Sequence, residues 1–239
     1  MTEPPIEPLA KPGVPRAFDR VAATYDRLTS LNPGYHRHLA ASAARLTIRV
    51  ARPRLLDLCC GTGASTEALR AVFPDASIVG LDASAGMLAI ARVKPSLRGV
   101  RFVEGDAVAP GAVVEGPFDG ALMAYGIRNL AEPDRALANL RALLAPGASV
   151  VFHEYSVADA SVARRLLWDA VCWGVIVPGG LLTARDAALY RYLHRSVRDF
   201  DGVRAFEERL RRAGFVDAWT GPRDGWQRGI VHSFVARTP

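Results

Sequence analysis

Lysine is almost missing from this chain: of thirty Lys and Arg residues, only Lys11 and Lys94 are lysine. The formal charge of +6 therefore rests on arginine, and the arginines are scattered, with no cluster tighter than pairs such as Arg164-Arg165 and Arg211-Arg212. A nucleic-acid binder gathers its cations on one face or stripe, so no nucleic-acid partner is predicted, and only a weak pull toward an anionic membrane surface stays open. Cysteine is as scarce. Cys59, Cys60 and Cys172 are odd in number and two are adjacent, which excludes a disulfide framework and points to buried thiols in a reducing cytosol. The five histidines (His36, His38, His153, His194, His232) stand apart from any ligand-spaced Cys or carboxylate cluster, and no metal is expected. Long apolar runs are lacking too. Ala170 to Leu182 is interrupted by Pro178-Gly179-Gly180 and falls short of the roughly 20 residues of a spanning helix. Met1 to Pro15, rich in Pro and Glu without an apolar signal core, is predicted to be a flexible leader.

What is present is alternation. In 239 residues, half of them hydrophobic, apolar strands at 54–59, 77–81, 100–104, 118–124 and 149–153 alternate with helical segments at 64–72, 84–93 and 132–144. That order predicts a mostly parallel sheet with crossover helices on both faces. Helices are expected before it at 16–30 and 35–46, and a strand-free helical insertion after it at 158–213. Two last strands, at 214–219 and 229–236, would close a seven-stranded sheet with an antiparallel final strand. The domain reading is a leader at 1–15 and one α/β domain at 16–239, with cap helices at 16–48.

The most informative run is Leu55-Leu56-Asp57-Leu58-Cys59-Cys60-Gly61-Thr62-Gly63, followed by Asp82 at the end of Val79-Gly80-Leu81-Asp82. A strand ending in a glycine turn before a helix, then a strand ending in a carboxylate, forms half of a nucleotide-cofactor site. The glycines stop at Gly61-x-Gly63, short of the third one a pyrophosphate site takes. Asp57 inside the strand would repel phosphate but suits an amino group and a sulfonium. Both features favour S-adenosylmethionine, with S-adenosylhomocysteine as product, over a dinucleotide. Gly61, Thr62 and Gly63 would bring backbone N–H groups and a helix N-terminus to the methionine carboxylate. Asp82, beside Ala83, would accept the ribose hydroxyls, although it also suits a helix cap. Met87 would line the adenine or pack in the core. Asp106, beside Ala107, would meet the adenine amino group or simply close a turn.

Past the fourth strand, Tyr125-Gly126-Ile127-Arg128-Asn129-Leu130 is placed to face the transferred methyl. Arg128 is too basic to act as a base, but it can stabilise an oxyanion that Asn129 orients; the plain alternative is an Arg–carboxylate surface pair. Glu154 would border the acceptor or merely end a strand. His36 and His38 are outside choices for a base.

Several segments resemble the ubiquinone/menaquinone-biosynthesis C-methyltransferase family: Phe18-Asp19-x-Val21-Ala22-x-x-Tyr25-Asp26, the 125–130 run, Arg141 to Gly147 leading into His153-Glu154-Tyr155-Ser156, Tyr190-Arg191-Tyr192-Leu193-x-x-Ser196, and Ala213-Gly214-Phe215. The resemblance covers about Phe18 to Phe215. It implies a Rossmann-like class I methyltransferase that methylates a ring carbon of a polyprenylated hydroquinone without metal. Tyr25 would close over the cofactor and join Tyr125 beside it, while Arg128 and Asn129 would polarise the quinol hydroxyl through water. Thr29, Pro33, Leu39, Ala145, Ala148 and the strand at 229–234 depart from the family pattern, and these sites are expected to surround the acceptor. A methyltransferase for another small aromatic or polyketide is the rival reading; a non-catalytic cofactor-binding subunit is the third. The apolar stretch at 161–182 is read as a lid, a slot for an isoprenoid tail, core, or a homodimer face. The expected setting is cytoplasmic, at most peripheral to the inner membrane face.

Overall fold

The computed structural model describes residues 10–30, 32–184 and 187–239. Most of the expected leader, Met1 to Leu9, lies outside these residues. Its remainder is built into the fold: Lys11–Gly13 forms a single 3-10 turn and α1 (Val14–Ser30) starts two residues before the expected boundary.

Strands β1 (Arg54–Leu58), β2 (Ser77–Asp82), β3 (Arg101–Glu104), β4 (Phe118–Ala124), β5 (Leu144–Tyr155), β6 (Val216–Pro222) and β7 (Val231–Arg237) form one sheet in the order β3-β2-β1-β4-β5-β7-β6. The first five strands are parallel, and β7 runs antiparallel to both β5 and β6. Because side chains alternate along a strand, successive residues feed two cores. Leu55, Leu122, Val151 and Val235 pack with Leu39 of α2 (Tyr35–Ala43) and Leu69 of α3 (Ala64–Val72) on one face. Leu56, Met123, Phe152 and Phe234 pack with Leu137 and Leu140 of α5 (Pro133–Ala142) and Phe206 and Leu210 of α9 (Val203–Arg212) on the other. Burial on both faces is why the central strands are largely apolar, with Asp57 of β1 and His153 and Glu154 of β5 as buried exceptions near their carboxyl ends. The strand order turns back on itself between β1 and β4, and a crevice opens there beyond the strand ends.

Two expectations change. β5 is longer than predicted, because Pro146-Gly147 sits inside it where its register with β4 shifts between Phe118 and Gly120; a bulge accommodates a proline that a regular ladder would not. The apolar stretch is also not cut at Pro178-Gly179-Gly180. α6 (Val162–Val171), a π-helical turn (Cys172–Ile176) and α7 (Val177–Ala184) run on as one helix, of which Val162–Leu182, 21 residues, is long and apolar enough to cross a membrane by length and composition. In the π turn the Val177 N–H reaches back to the Cys172 carbonyl. That wider turn lies directly before Pro178 and relieves the clash a proline ring makes with the preceding turn. Gly180 lets α8 (Ala187–Asp199) approach, since a Cβ there would sit 2.0 Å from the Tyr190 ring.

Candidate active site at the strand switch

A cavity of about 410 Å³ opens at the carboxyl ends of the central strands. Tyr25, Gly61, Asp82, Ala83, Met87, Asp106, Ala107, Tyr125 and Asn129 line it, whereas Asp57, Thr62, Gly63 and Arg128 stand behind its wall.

The glycine loop divides its work. Gly61, at φ 54°, has no protein atom within 4 Å of where a Cβ would lie, so the position opens on the cavity. Gly63, at φ 90°, has Leu97 only 2.4 Å from that point and is required by packing. Behind them Asp57 is wholly buried, with Oδ2 accepting from Ser65 (2.8 Å) and Thr66 (2.5 Å) at the start of α3. Its Oδ1 has no partner, and burial raises its pKa to about 7 against the pull of the two hydroxyls.

Asp82 accepts from the Gly61 N–H through Oδ2 and from the Ser84 N–H through Oδ1, both at 2.8 Å. Each oxygen keeps a lone pair for a diol. Burial raises its pKa, and the N–H groups of Ser84, Gly61 and Ala83 oppose that. Ser84 caps α4 (Ala85–Val93) by accepting from the Met87 N–H at 3.1 Å. Asp106 does close its turn, accepting from the Val108 N–H at 2.8 Å, while still lining the cavity.

Two residues without an assigned role in the sequence hold the cap in place. Asp19 accepts from Ser84 Oγ (2.6 Å) and the Gly86 N–H (2.9 Å) at the start of α4. Asp26 accepts from Thr62 Oγ1 (2.5 Å) in the glycine loop and pairs with Lys94 at 2.7 Å. Seven residues apart, they share one face of α1; that spacing was the available signal. They strap the helix bearing Phe18 and Tyr25 across the cavity.

Cys59 and Tyr125, which line the cavity, directly follow β1 and β4 with φ of 56° each, a backbone conformation that costs a non-glycine residue energy. Tyr125 stacks on Tyr35 (5.8 Å, 11°) and leans on Tyr155 (5.0 Å). Its hydroxyl meets His153 Nε2 at 2.9 Å, and His153 Nδ1 meets Ser42 Oγ at 2.7 Å. Burial holds His153 well below its ordinary pKa, so the imidazole is neutral and the cluster is uncharged; of its members only Tyr125 lines the cavity. In the sequence His153 is read as a histidine without ligand spacing, and its contact with Tyr125 is not apparent.

Arg128 is buried against the equally buried Glu154, and its other donors go to the Tyr125 carbonyl (3.0 Å) and Ser196 Oγ (3.3 Å). Burial alone would lower its pKa, but Glu154 overrides this and the net shift is upward. It borders a second, adjoining cavity of about 290 Å³ with Tyr192 and Ser196. Asn129 donates to the Tyr125 carbonyl at 3.0 Å, while its buried Oδ1, in a residue lining the main cavity, has no partner. His36 is exposed, and His38 is buried between Gln227 and Asp224; neither lines the cavity. Among the described residues no group of three His, Cys, Asp or Glu could hold a metal. None of the departures expected around the acceptor lines either cavity: Thr29, Pro33, Leu39 (a core residue) and 229–234 stand away from both, and Ala145 and Ala148 are at the start of β5, the sheet end opposite the cavity, because parallel strands bring only their carboxyl ends to it.

A cradle with an open glycine, a diol acceptor and carboxylates around it fits S-adenosylmethionine and would repel a pyrophosphate. Comparison with known proteins agrees. Two solved structures share the fold: a possible histamine N-methyltransferase from Thermotoga maritima (TM-score 0.66, 18% identity, 94% of this chain and 99% of that one) and the plantazolicin methyltransferase BpumL in complex with S-adenosylhomocysteine (0.62, 14%, 95% and 96%). Relatives in sequence include a demethylmenaquinone methyltransferase of Thermus thermophilus, 37% identical over 83% of this chain and 90% of that protein. Another is the ubiquinone/menaquinone biosynthesis C-methyltransferase UbiE of Methylobacterium nodulans, 35% identical over 85% and 82%. The model of the ubiE/COQ5 methyltransferase family matches residues 8–225. The chain belongs to that family and is an S-adenosylmethionine-dependent methyltransferase of the class I fold.

Proposed function

We propose that the enzyme methylates a ring carbon of a polyprenylated hydroquinone in quinone biosynthesis, with residues 16–239 acting as one methyltransferase domain in the cytoplasm. The observation that carries this reading beyond family membership is Asn129 Oδ1, a buried acceptor without a partner in the wall that Tyr25 and Tyr125 close. It is placed to take the hydrogen bond of a phenolic hydroxyl.

S-adenosylmethionine supplies an electrophilic methyl. Gly61 would open the loop to its carboxylate end, with Thr62 and Gly63 shaping that loop, Asp57 would favour its ammonium through the loop, Asp82 and Ala83 would take the ribose, and Met87, Asp106 and Ala107 would take the adenine. Tyr25 and Tyr125 hold the acceptor ring in line, and orientation of that kind supplies about 7–11 kcal/mol of the barrier. Deprotonating the hydroxyl pushes electron density onto the ortho carbon. Asn129 would orient that oxygen, and Arg128, behind the wall and balanced by Glu154, would polarise it through water while holding the Tyr125 carbonyl that Asn129 also grips. The ortho carbon would take the methyl as the methyl–sulfur bond breaks and S-adenosylhomocysteine leaves; that carbon then gives up its hydrogen as a proton and the oxygen is reprotonated, so that one proton passes to water in net.

The Tyr125 ring lining the cavity, its hydroxyl held by the neutral His153 at 2.9 Å, favours a second reading, a more polar aromatic or polyketide acceptor. Incubation with S-adenosylmethionine and a reduced short-tailed demethylmenaquinol or demethylubiquinol analogue decides, with the added methyl mapped by mass spectrometry and NMR. A methyl on ring carbon supports the first reading. Cofactor binding without turnover moves the assignment to the second.

A further inference from the structure

We propose that the outer face of the continuous α6–α7 helix, with the arginine edge of α8, docks the enzyme on an anionic lipid bilayer, the helix lying in the plane of the surface. The proposal rests on the lipid-tailed acceptor above and names the surface that reaches it.

A helix on a folded protein ordinarily exposes a polar face. This one exposes an apolar face. Val162, Leu166, Trp173, Val175, Leu181 and Leu182 account for six of the ten exposed large hydrophobics among the described residues, with Leu166 at 61% and Leu182 at 85%. Its inner face carries Trp168, Cys172 and Val177, buried against Tyr155 and Val197. A helix seated by one face in the protein core lies on a bilayer rather than spanning it. At 1.5 Å per residue its 21 residues extend about 31 Å, enough for a firm footprint.

Charge identifies the occupant. Over Val162–Leu182 the only charged residues are Arg164, Arg165 and Asp169, and Asp169 is paired with His194 (2.8 Å) and Arg198 (2.8 Å) of α8. The His194 ring lies 5.2 Å from Trp173, so α8 runs beside the apolar face. Its outer edge repeats Arg191, Arg195 and Arg198, all exposed, with Arg195 beside the second cavity and Arg198 sharing Asp169; Asp199 is the helix's one acid. An apolar stripe carrying a tryptophan beside a row of arginines matches the acyl boundary and headgroups of an anionic leaflet. The seat also points the site the right way. Gly179 lies 3.2 Å from Leu28, measured from where its Cβ would be, one turn beyond Tyr25 on α1, and Trp168 rings against Tyr155 at 4.9 Å.

Full-length enzyme should co-sediment with phosphatidylglycerol-containing vesicles about tenfold or more better than with pure phosphatidylcholine, less so as salt rises, with a blue shift in emission that Trp173→Phe removes. Leu166→Glu/Leu182→Glu should lose vesicle binding, and Arg191→Glu should weaken it. Neither variant touches the cavity, so both should turn over a soluble short-tailed acceptor normally. No preference for anionic vesicles, or a homodimer that Leu166→Glu/Leu182→Glu dissociates, overturns the proposal, the latter in favour of a second copy as occupant. Vesicle binding without quinol turnover would instead retire the acceptor assignment and leave the docking surface standing.

Discussion

The two loop glycines are absent side chains with different consequences. Gly61→Ala puts a methyl on the cavity side, so cofactor affinity should fall about tenfold, while the strain at φ 54° costs about 1–2 kcal/mol of stability. Gly63→Ala drives a methyl at Leu97 and should cost more stability, about 2–4 kcal/mol of strain and overpacking, with little change in affinity of the folded fraction. Titration calorimetry and thermal melts separate the two. Asp57 gives a pH signature. Its pKa rises from 3.8 to about 7 on folding, so its contribution to stability is full below the unfolded value and is lost as pH climbs to about 7. Asp57→Asn should therefore gain on wild type by about 1 kcal/mol or more between pH 4 and pH 8, read from denaturant midpoints at the two pH values. Arg128 has to be tested with its partner. Arg128→Met strands Glu154 and should cost about 3–5 kcal/mol. Arg128→Met/Glu154→Leu should recover much of that without recovering turnover; a fully active double variant would show that the pair only holds the fold.

At the scale of elements, α1 is a strap and its two carboxylates are the fastenings. Asp19→Ala/Asp26→Ala frees Ser84, Thr62 and Lys94 together. Cofactor Kd should rise about tenfold, as each lost charge-assisted bond is worth roughly 1 kcal/mol or more, and amides of α1 should exchange faster, measured by hydrogen exchange with and without S-adenosylmethionine. The core face of this helix, Val21, Ala22 and Tyr25, was legible from spacing. The strap was not, since the residues Asp19 and Asp26 grip are more than thirty positions away. The helix at 162–184 shows the opposite difficulty. Pro178-Gly179-Gly180 is a strong local breaker, and only the π turn before it and the close packing of Gly180 on Tyr190 explain why the helix continues.

For the whole molecule, the parallel sheet, its antiparallel last strand and the position of the cofactor cavity follow from the order of apolar strands and glycine turns. Those signals are local: a strand, its turn and the next helix are contiguous, and the physics of strand crossover fixes how they stack. The sequence by itself therefore determined the fold, and Gly61, Gly63, Asp82 and Asp106 pointed to the cofactor. The tertiary structure alone decided the surroundings of the acceptor. It paired Arg128 with Glu154, twenty-six residues on, joined Tyr125 to His153 and Ser42 from three separate elements, sent Ala145 and Ala148 to the far end of the sheet, and turned an apolar stripe outward. These outcomes depend on residues distant in sequence, and which side chains meet, or are left facing outward, is set by tertiary packing that no local pattern of residues encodes.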